Sequence, residues 1–303
     1  NFGFVIPDDR NFGTDIFISK NDFGKARDGH KVLVKITKYP MNNKKAEGKV
    51  IEVLGKPNEA GIDMLSLIKE YNLPSKFPET VVEEAKKYGK EIDKKDIKNR
   101  VDLRNDIIFT IDGEDAKDLD DAVKVTKLEN ENYKLDVHIA DVSYYVKPNS
   151  LLDQEALLRG TSIYMLGRVI PMLPRELSNG ICSLNAGEDR FTLSCSMEID
   201  PKGNVISSEV YKGVINVTER MNYHDVQAIL DKSDEKVLKK YEKYIKDFEL
   251  MAELANILKE KRLNAGYLNL DIPESKIDLD INGHAINVGK YETSFSNEII
   301  EQF

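Results

Sequence analysis

The residues best suited to do chemistry form an acidic run between positions 112 and 121. Six of its ten side chains are carboxylates: Asp112, Glu114, Asp115, Asp118, Asp120 and Asp121. An apolar stretch at 107–111 precedes the run and Ala122-Val123 follows it, so the folded domain should fix both ends. Like charges this close repel one another and raise one another's pKa unless a cation neutralises them. The run therefore indicates a hard divalent cation bound through oxygen, with Mg2+ as the first choice and Mn2+ as the alternative.

The spacing of the aspartates suits an irregular loop that directs several carboxylates at one point. Gly113 permits a sharp turn after Asp112, and Asp118, Asp120 and Asp121 follow within a few residues. Two cations held by such a set could activate a water on one side of a phosphodiester and stabilise the leaving oxygen on the other. Solvated surface turns and structural cation sites show similar clusters, so the residues alone leave both alternatives open. The motifs of a calcium EF-hand and of a P-loop are absent from the sequence.

The segments around the acidic run should form a mixed α/β domain that begins near Arg100. Apolar runs and alternating patterns predict strands at 107–111, 135–146, 192–199 and 205–216. Apolar residues at three- and four-residue spacing predict one long amphipathic helix over about 235–263. That helix should end near Ala265-Gly266, because glycine suits the residue after a helix.

The first 55 residues should form a small antiparallel β-barrel. Short alternating segments broken by turn residues predict its strands at 2–6, 15–18, 31–36 and 48–54. Phe4 and Phe17 lie among these strands with Lys20 nearby, which is the combination that a single-strand binder needs. Bases stack on aromatic rings while cations follow the phosphates. The alternative is that the phenylalanines merely fill the barrel.

Composition narrows the class of protein. The chain has 303 residues, a net charge of -9 and a pI near 5.2, which argues against nucleic-acid binding by a generally basic surface. No apolar stretch is long enough to span a bilayer, so we expect a soluble, cytoplasmic protein. Two cysteines are too few for a disulfide framework and lack zinc-ligand spacing. Residues 56–99 are interpreted as a structured connector with a helix over 79–88.

Five motifs in order give the chain a resemblance to the ribonuclease II/ribonuclease R (RNB) family of exoribonucleases. They lie at 110–123, 137–143, 171–174, 177–184 and 271–275. The opening Phe-Gly-Phe-Val-Ile-Pro-Asp-Asp resembles the second cold-shock OB domain that precedes this catalytic domain. The resemblance implies an α+β fold class. A small OB-fold β-barrel at 1–55 and the connector at 56–99 would precede a mixed α/β RNB catalytic domain at 100–303, incomplete at its C-terminus.

The resemblance also implies an activity and its residues. The activity is processive hydrolysis of single-stranded RNA from the 3′ end, with magnesium, to nucleoside 5′-monophosphates. By motif position Asp112, Asp118, Asp120 and Asp121 match the family's catalytic, metal-binding aspartates, and Tyr164 matches the aromatic that stacks on the terminal base. From the residues alone a core tyrosine is the simpler interpretation of Tyr164. The family further implies a monomeric parent enzyme that uses no dinucleotide cofactor and no membrane.

Several departures from the family pattern qualify this interpretation. Tyr144 stands where the family has histidine, and Ala265 and Asn269 stand where arginine and aspartate are usual. The chain ends at Phe303 inside a predicted helix, without the family's later Thr-Ser-Pro-Ile-Arg-Arg-Tyr motif or its S1 domain. The arginine of that motif should steady the phosphate under attack, and the sequence assigns no replacement for it. We therefore expect a fragment, and the alternative function is a catalytically silent RNA-binding fragment.

Overall fold

The structure is a computed structural model, and it describes residues 2–41, 45–268, 272 and 274–303, without the side chain of Arg10. The strands are β1 (Phe2–Val5), β2 (Ile16–Ser19), β3 (Lys31–Lys38), β4 (Ala46–Gly55), β5 (Val101–Leu103), β6 (Phe109–Asp112), β7 (Asp121–Lys127), β8 (Tyr133–Ala140), β9 (Ile163–Met165), β10 (Arg168–Ile170), β11 (Asp189–Ile199), β12 (Val205–Asn216), β13 (Glu219–Asn222), β14 (Ser275–Leu279) and β15 (Ala285–Lys290). The helices are α1 (Ile62–Glu70), α2 (Glu79–Lys86), α3 (Val142–Tyr145), α4 (Leu151–Arg159), α5 (Tyr223–Asp231), α6 (Glu235–Lys240), α7 (Ile245–Asn264) and α8 (Phe295–Gln302).

These elements form two compact units. The first unit comprises the described residues of Asn1–Lys76, Tyr164–Ile170 and Lys276–Gly289. The second comprises the described residues of Phe77–Ile163, Pro171–Ser275 and Lys290–Phe303. No helix in the described ranges is long and apolar enough to cross a membrane.

The first unit contains a four-stranded sheet in the order β1-β2-β4-β3. The pairs β1–β2 and β3–β4 are antiparallel, but β2 and β4 are parallel, so the prediction of a wholly antiparallel barrel is wrong for this pair. The physical reason is the connection: β3 reverses the chain between β2 and β4, so β4 returns beside β2 in the same direction. Ile16, Ile18, Ala46 and Val50 form its buried core. Helix α1 follows in the segment predicted only as a connector.

The second unit is built on a seven-stranded sheet in the order β13-β6-β7-β8-β11-β12-β5. Its central strands pair antiparallel, and the edge strands β13 and β5 pair in parallel with β6 and β12. Successive side chains of a strand point to opposite faces. Accordingly Ala122 belongs to a core with α2 and α4, whereas Val123 belongs to a core with α5, α7 and α8. The sheet is thus covered on both faces, and the acidic run joins two of its inner strands.

The predicted strand over 135–146 is too long. Strand β8 ends at Ala140, and Asp141 then caps helix α3 by accepting a hydrogen bond from the Tyr144 backbone N–H. An aspartate in that position offers the backbone an alternative to the sheet ladder, which the alternating pattern does not reveal.

The predicted single helix over 235–263 is also wrong, because it is broken between α6 and α7. A short 3-10 turn, Glu242–Tyr244, separates the two helices. The rings of Tyr241 and Tyr244 are both buried there, and Tyr244 packs edge-on against Phe109 with centroids 5.0 Å apart. Burying both rings outweighs the modest propensity for a continuous helix. Helix α7 does end next to Ala265-Gly266, as expected.

Two features of the sequence fall outside the described residues, wholly or in part. These are the motif at 271–275 and the departure at Asn269.

His138 is a buried titratable group in the middle of β8. Its side chain is 1% exposed, and Nδ1 lies 2.8 Å from the Ser194 hydroxyl. In the described part of the chain Nε2 has no hydrogen-bond partner. Burial lowers the pKa of His138 to about 4, because the charged imidazolium would lose its hydration.

We expect His138 to make the folded protein less stable as the pH falls from about 6.5 to about 4. In this window the unfolded chain binds a proton that the folded protein excludes, so the free energy of unfolding decreases, by about 3 kcal/mol in full. Urea unfolding followed by far-UV circular dichroism at several pH values should show a shallower pH dependence for His138→Gln than for the unsubstituted protein. Identical slopes would contradict this assignment.

Candidate active site

The acidic run forms the connection between two neighbouring strands of the central sheet. Asp112 is the last residue of β6 and Asp121 is the first residue of β7. In the sheet Asp112 lies opposite Asn222 of β13, and Asp121 lies opposite Ile139 of β8. The loop 113–120 carries Asp118 and Asp120, so regular strands fix both ends of the carboxylate set.

The structure brings the four predicted aspartates close enough to affect one another's charge. Burial raises the pKa of Asp112 to about 6, and the charges of Asp121, Asp118 and Asp120 add to the effect while Arg220 opposes it. Although Asp120 is an exposed residue, the protein atoms around its carboxyl reduce hydration and raise its pKa, and the charges of Asp118 and Asp121 contribute next. Burial is the main cause of the raised pKa of Asp121. Ionising all of these groups together is therefore costly, and a cation would relieve that cost.

One carboxylate oxygen in this cluster has no hydrogen-bond partner among the described residues. Oδ2 of Asp112 is buried, and no described residue forms a hydrogen bond with it. An unpaired buried oxygen within a set of oxygen donors fits a hard cation such as Mg2+. In the described ranges no three acidic, histidine or cysteine side chains converge into a ready ligand set. Cation binding would therefore require exposed side chains such as Asp120 to turn toward Asp112.

Ser183 holds the middle of the loop. Its hydroxyl accepts a hydrogen bond from the Leu119 N–H at 3.1 Å and donates one to the Lys117 carbonyl at 3.0 Å. The Leu119 side chain is buried, and the Leu119 carbonyl accepts a further bond from the Leu184 N–H at 2.8 Å. Beyond it, the Ala140 N–H donates to the Asp120 carbonyl at 2.9 Å. The loop has no regular secondary structure, but hydrogen bonds fix its backbone over residues 117–120.

Two arginines that the sequence analysis did not single out support the same region. Arg190 is 3% exposed, and its Nε donates to the Ser183 carbonyl at 2.8 Å. Arg220 on β13 donates from Nη2 to the carbonyls of Glu114 at 2.9 Å and Ala116 at 2.6 Å. The contacts of Arg220 join residues more than 100 positions apart in the chain, whereas Arg190 lies seven residues from Ser183. Neither arginine stands out in its local sequence, because both lie in strands that contain other polar residues.

Tyr223 also lies beside the carboxylates. Burial raises its pKa to about 12, and the charges of Asp112 and Asp121 contribute to that rise. It is the first residue of α5, and its local sequence gives no signal of a functional role.

The predicted RNA-binding residues Phe4, Phe17 and Lys20 all belong to the first unit. Phe4 lies opposite Phe17 in the β1–β2 pair, and with Phe2 they form a cluster whose ring centroids are 5.7 to 5.9 Å apart. Phe4 is 48% exposed and Phe17 is partly buried, so Phe4 does not fill the barrel. The ammonium of Lys45 lies 4.4 Å from the centre of the Phe4 ring. Lys20 is exposed directly after β2.

Tyr164 is a surface residue of β9. It is 68% exposed, so it is not the core tyrosine that its sequence context alone suggests. It belongs to the first unit, whereas the aspartates belong to the second.

Comparison with known proteins gives two domain matches and whole-chain relatives. The RNB domain model matches residues 100–303 and a cold shock domain model matches residues 4–78. Ribonuclease R of Thermotoga maritima is 45% identical over 100% of this chain, and ribonuclease R of Escherichia coli is 35% identical over 99%. The chain covers 43% and 37% of these relatives, so it spans less than half of their length.

Solved structures share the fold. Mycoplasma genitalium RNase R in complex with ribose-methylated single-stranded RNA superposes with a TM-score of 0.88 at 24% identity, over 100% of this chain and 48% of that chain. Yeast Ssd1, a pseudonuclease, superposes with a TM-score of 0.71 at 17% identity, over 99% and 38%. These matches and the domain models confirm the predicted α+β class with an OB-type barrel. Since a pseudonuclease has the same fold, whether a chain is active depends on its site residues.

Proposed function

Because this chain belongs to the RNB-domain family of ribonucleases, we propose that it hydrolyses single-stranded RNA from the 3′ end to nucleoside 5′-monophosphates. The residues proposed for the chemistry are Asp112, Asp118, Asp120 and Asp121, with Mg2+ as the cofactor and Mn2+ as the alternative. The observation that supports this proposal is the buried Oδ2 of Asp112, which forms no hydrogen bond with any described residue and lies within the influence of the charges of Asp118, Asp120 and Asp121.

The aspartates divide the work of the reaction. Bound cations supply a Lewis acid for the phosphodiester and lower the pKa of the attacking water. Asp112 and Asp121, fixed at the ends of two strands, would hold the cations. Asp120 and Asp121 are adjacent, so their side chains point in different directions. One of them would therefore bind a cation, and the other would act through water or through the 3′-terminal ribose.

Aromatic side chains bind the RNA strand by stacking on its bases in this proposal. Phe4 and Phe17 present a ring surface on which bases stack. Lys20, an exposed cation three residues after Phe17, contacts the RNA phosphates. Tyr164 stacks on the terminal base and holds the 3′ end. The exposed surfaces of Phe4 and Tyr164 support these roles, because stacking needs an accessible ring.

Replacing these aromatic residues should weaken RNA handling. Base stacking is worth about 1–3 kcal/mol per base, so Phe4→Ala should raise the Kd for single-stranded RNA by about 5- to 150-fold.

Tyr164→Ala should lengthen the final undegraded product, whereas Tyr164→Phe keeps the ring and should behave like the unsubstituted protein. Fluorescence anisotropy gives the affinity and a sequencing gel gives the product length. An unchanged Kd for Phe4→Ala, or equal effects of the two Tyr164 changes, would count against stacking.

A degradation assay tests the proposed function itself. The full-length product of the gene is incubated with 5′-labelled single-stranded RNA and Mg2+. Stepwise shortening to a short labelled end product supports the exoribonuclease. A gel shift without any decay would instead identify a catalytically silent RNA-binding protein.

The remaining expectations belong to this proposal. They are the division into 1–55, 56–99 and 100–303, a monomeric enzyme without a dinucleotide cofactor, and a cytoplasmic location. Limited proteolysis tests the division. Sedimentation tests whether the enzyme is a monomer. Titration with dinucleotides tests whether it binds such a cofactor, and cell fractionation tests its location.

A further inference from the structure

Arg220 is the cation that the structure places against the acidic loop from the side of β13. This edge strand runs parallel to β6, and Arg220 lies opposite Thr110, two residues before Asp112. One guanidinium nitrogen, Nη2, reaches the carbonyl oxygens of both Glu114 and Ala116, at 2.9 and 2.6 Å. The contact therefore fixes the loop backbone and does not pair with a carboxylate side chain.

Arg220 and Ser183 form hydrogen bonds with different parts of the loop backbone. Arg220 holds the carbonyls of Glu114 and Ala116, and Ser183 holds the backbone of Lys117 and Leu119. Between these contacts the Ala116 N–H closes a turn on the Gly113 carbonyl at 3.1 Å. No described atom lies within 4 Å of the position that a Cβ would take at Gly113, so side-chain packing there does not define the turn. Without the guanidinium, the half of the loop that follows Asp112 would lose its long-range contacts to β13.

The charge and the hydrogen bonds of Arg220 act in opposite directions on a bound cation. A guanidinium close to the carboxylates repels a divalent cation, so its charge alone disfavours binding. Its hydrogen bonds keep the loop backbone in one conformation, which lowers the entropy that binding must remove. Removing Arg220 therefore tells the two effects apart by the sign of the change in affinity.

We propose that Arg220 is a positioning residue, which holds the acidic loop in its cation-binding conformation through the Glu114 and Ala116 carbonyls. The inference rests on the proposed function only in taking Asp112, Asp118, Asp120 and Asp121 as the cation ligands. Arg220 itself makes no contact with cation or RNA in this role.

Calorimetric titration with Mn2+ in the absence of RNA tests the positioning role. Arg220→Met keeps the length of the stem but removes charge and donors, and it should weaken Mn2+ binding by about 10- to 100-fold. Arg220→Lys keeps the charge and one donor group, and it should lose less affinity. If the charge alone mattered, Arg220→Met would bind Mn2+ more tightly and Arg220→Lys would be unchanged, and either result would overturn the proposal.

A matched control and a second measurement make the outcome decisive. Lys202→Met removes an exposed cation from the β11–β12 turn, nine residues beyond Leu193, which lies opposite Ile139, and should not change Mn2+ affinity. Hydrogen exchange of peptides covering 113–120 reports the loop without any metal, and it should be faster in Arg220→Met than in the unsubstituted protein. Unchanged exchange would also overturn the positioning role.

The two proposals can fail separately. If the unsubstituted protein binds no Mn2+, the metal chemistry of the proposed function fails, and hydrogen exchange still decides the role of Arg220. If it binds Mn2+ and Arg220→Met binds equally well, the positioning role fails alone. Circular dichroism of each variant establishes that it is folded, and Arg220→Lys replaces Arg220→Met if the latter is not.

Discussion

Replacing Asp120 with asparagine is expected to lower the rate of RNA hydrolysis by about 1,000-fold or more while leaving the affinity for RNA nearly unchanged. Several kcal/mol of transition-state stabilisation depend on cation held by the carboxylates, and each 1.4 kcal/mol is tenfold in rate. Asp120 is exposed, so the change should not disturb folding. Initial rates of decay of labelled RNA in the full-length gene product, measured with saturating Mg2+, give the effect.

Asp115→Asn is the matched control for Asp120→Asn. Asp115 is an exposed aspartate of the same loop, carries the same charge and has no assigned role. Its replacement should change the rate only slightly. If both changes reduced the rate equally, the loss would reflect the charge of the loop and not a ligand at Asp120. A parallel loss of RNA affinity in Asp120→Asn would likewise contradict its catalytic assignment.

Replacing Arg100 with methionine is expected to lower the free energy of unfolding by about 3–5 kcal/mol, because it leaves Asp141 as an uncompensated buried charge. The two side chains form an ion pair at 2.6 Å and are 4% and 5% exposed. Arg100 also donates to the carbonyls of Thr192 and Gly213, both at 3.2 Å. Although burial pushes the pKa of Asp141 upward, hydrogen bonds from Arg100 and Ser143 hold it below its ordinary value.

Urea unfolding followed by circular dichroism measures this loss of stability, since the chain has no tryptophan. The control is Lys38→Met, which breaks the exposed pair between Lys38 and Glu47. An exposed pair is worth at most about 1 kcal/mol, so this variant should remain close to the unsubstituted protein. If the two substitutions lowered the free energy of unfolding equally, burial of the Arg100–Asp141 pair would not explain its contribution to stability.

The local sequence pattern was sufficient to locate the carboxylate loop and its strands. The apolar residues at 107–111 and Ala122-Val123 flank the run, and the structure has β6 and β7 there. The strand over 205–216 was predicted with the bounds that β12 has. These successes share a cause: the period-two pattern and the turn residues act over a few positions, so they are readable without knowing the rest of the fold.

Features that depend on distant parts of the chain escaped prediction. Arg220 lies 104 residues from Ala116, and Ser183 lies 66 residues from Lys117. The break between α6 and α7 follows from burying two tyrosine rings in a core that the helix pattern does not describe. Tyr144, a departure from the family pattern, donates a hydrogen bond to Asp96 and packs edge-on against Phe191. Tertiary contacts of this kind decide local structure but leave little local signal.

The released product of 3′-end-labelled single-stranded RNA tests the central proposal most directly. With Mg2+ and the full-length gene product, the label should appear at once as a nucleoside 5′-monophosphate, and both EDTA and Asp120→Asn should abolish its release. Release of the label in longer internal fragments would contradict attack from the 3′ end. Undiminished release by Asp120→Asn would contradict catalysis by the carboxylates of the acidic loop.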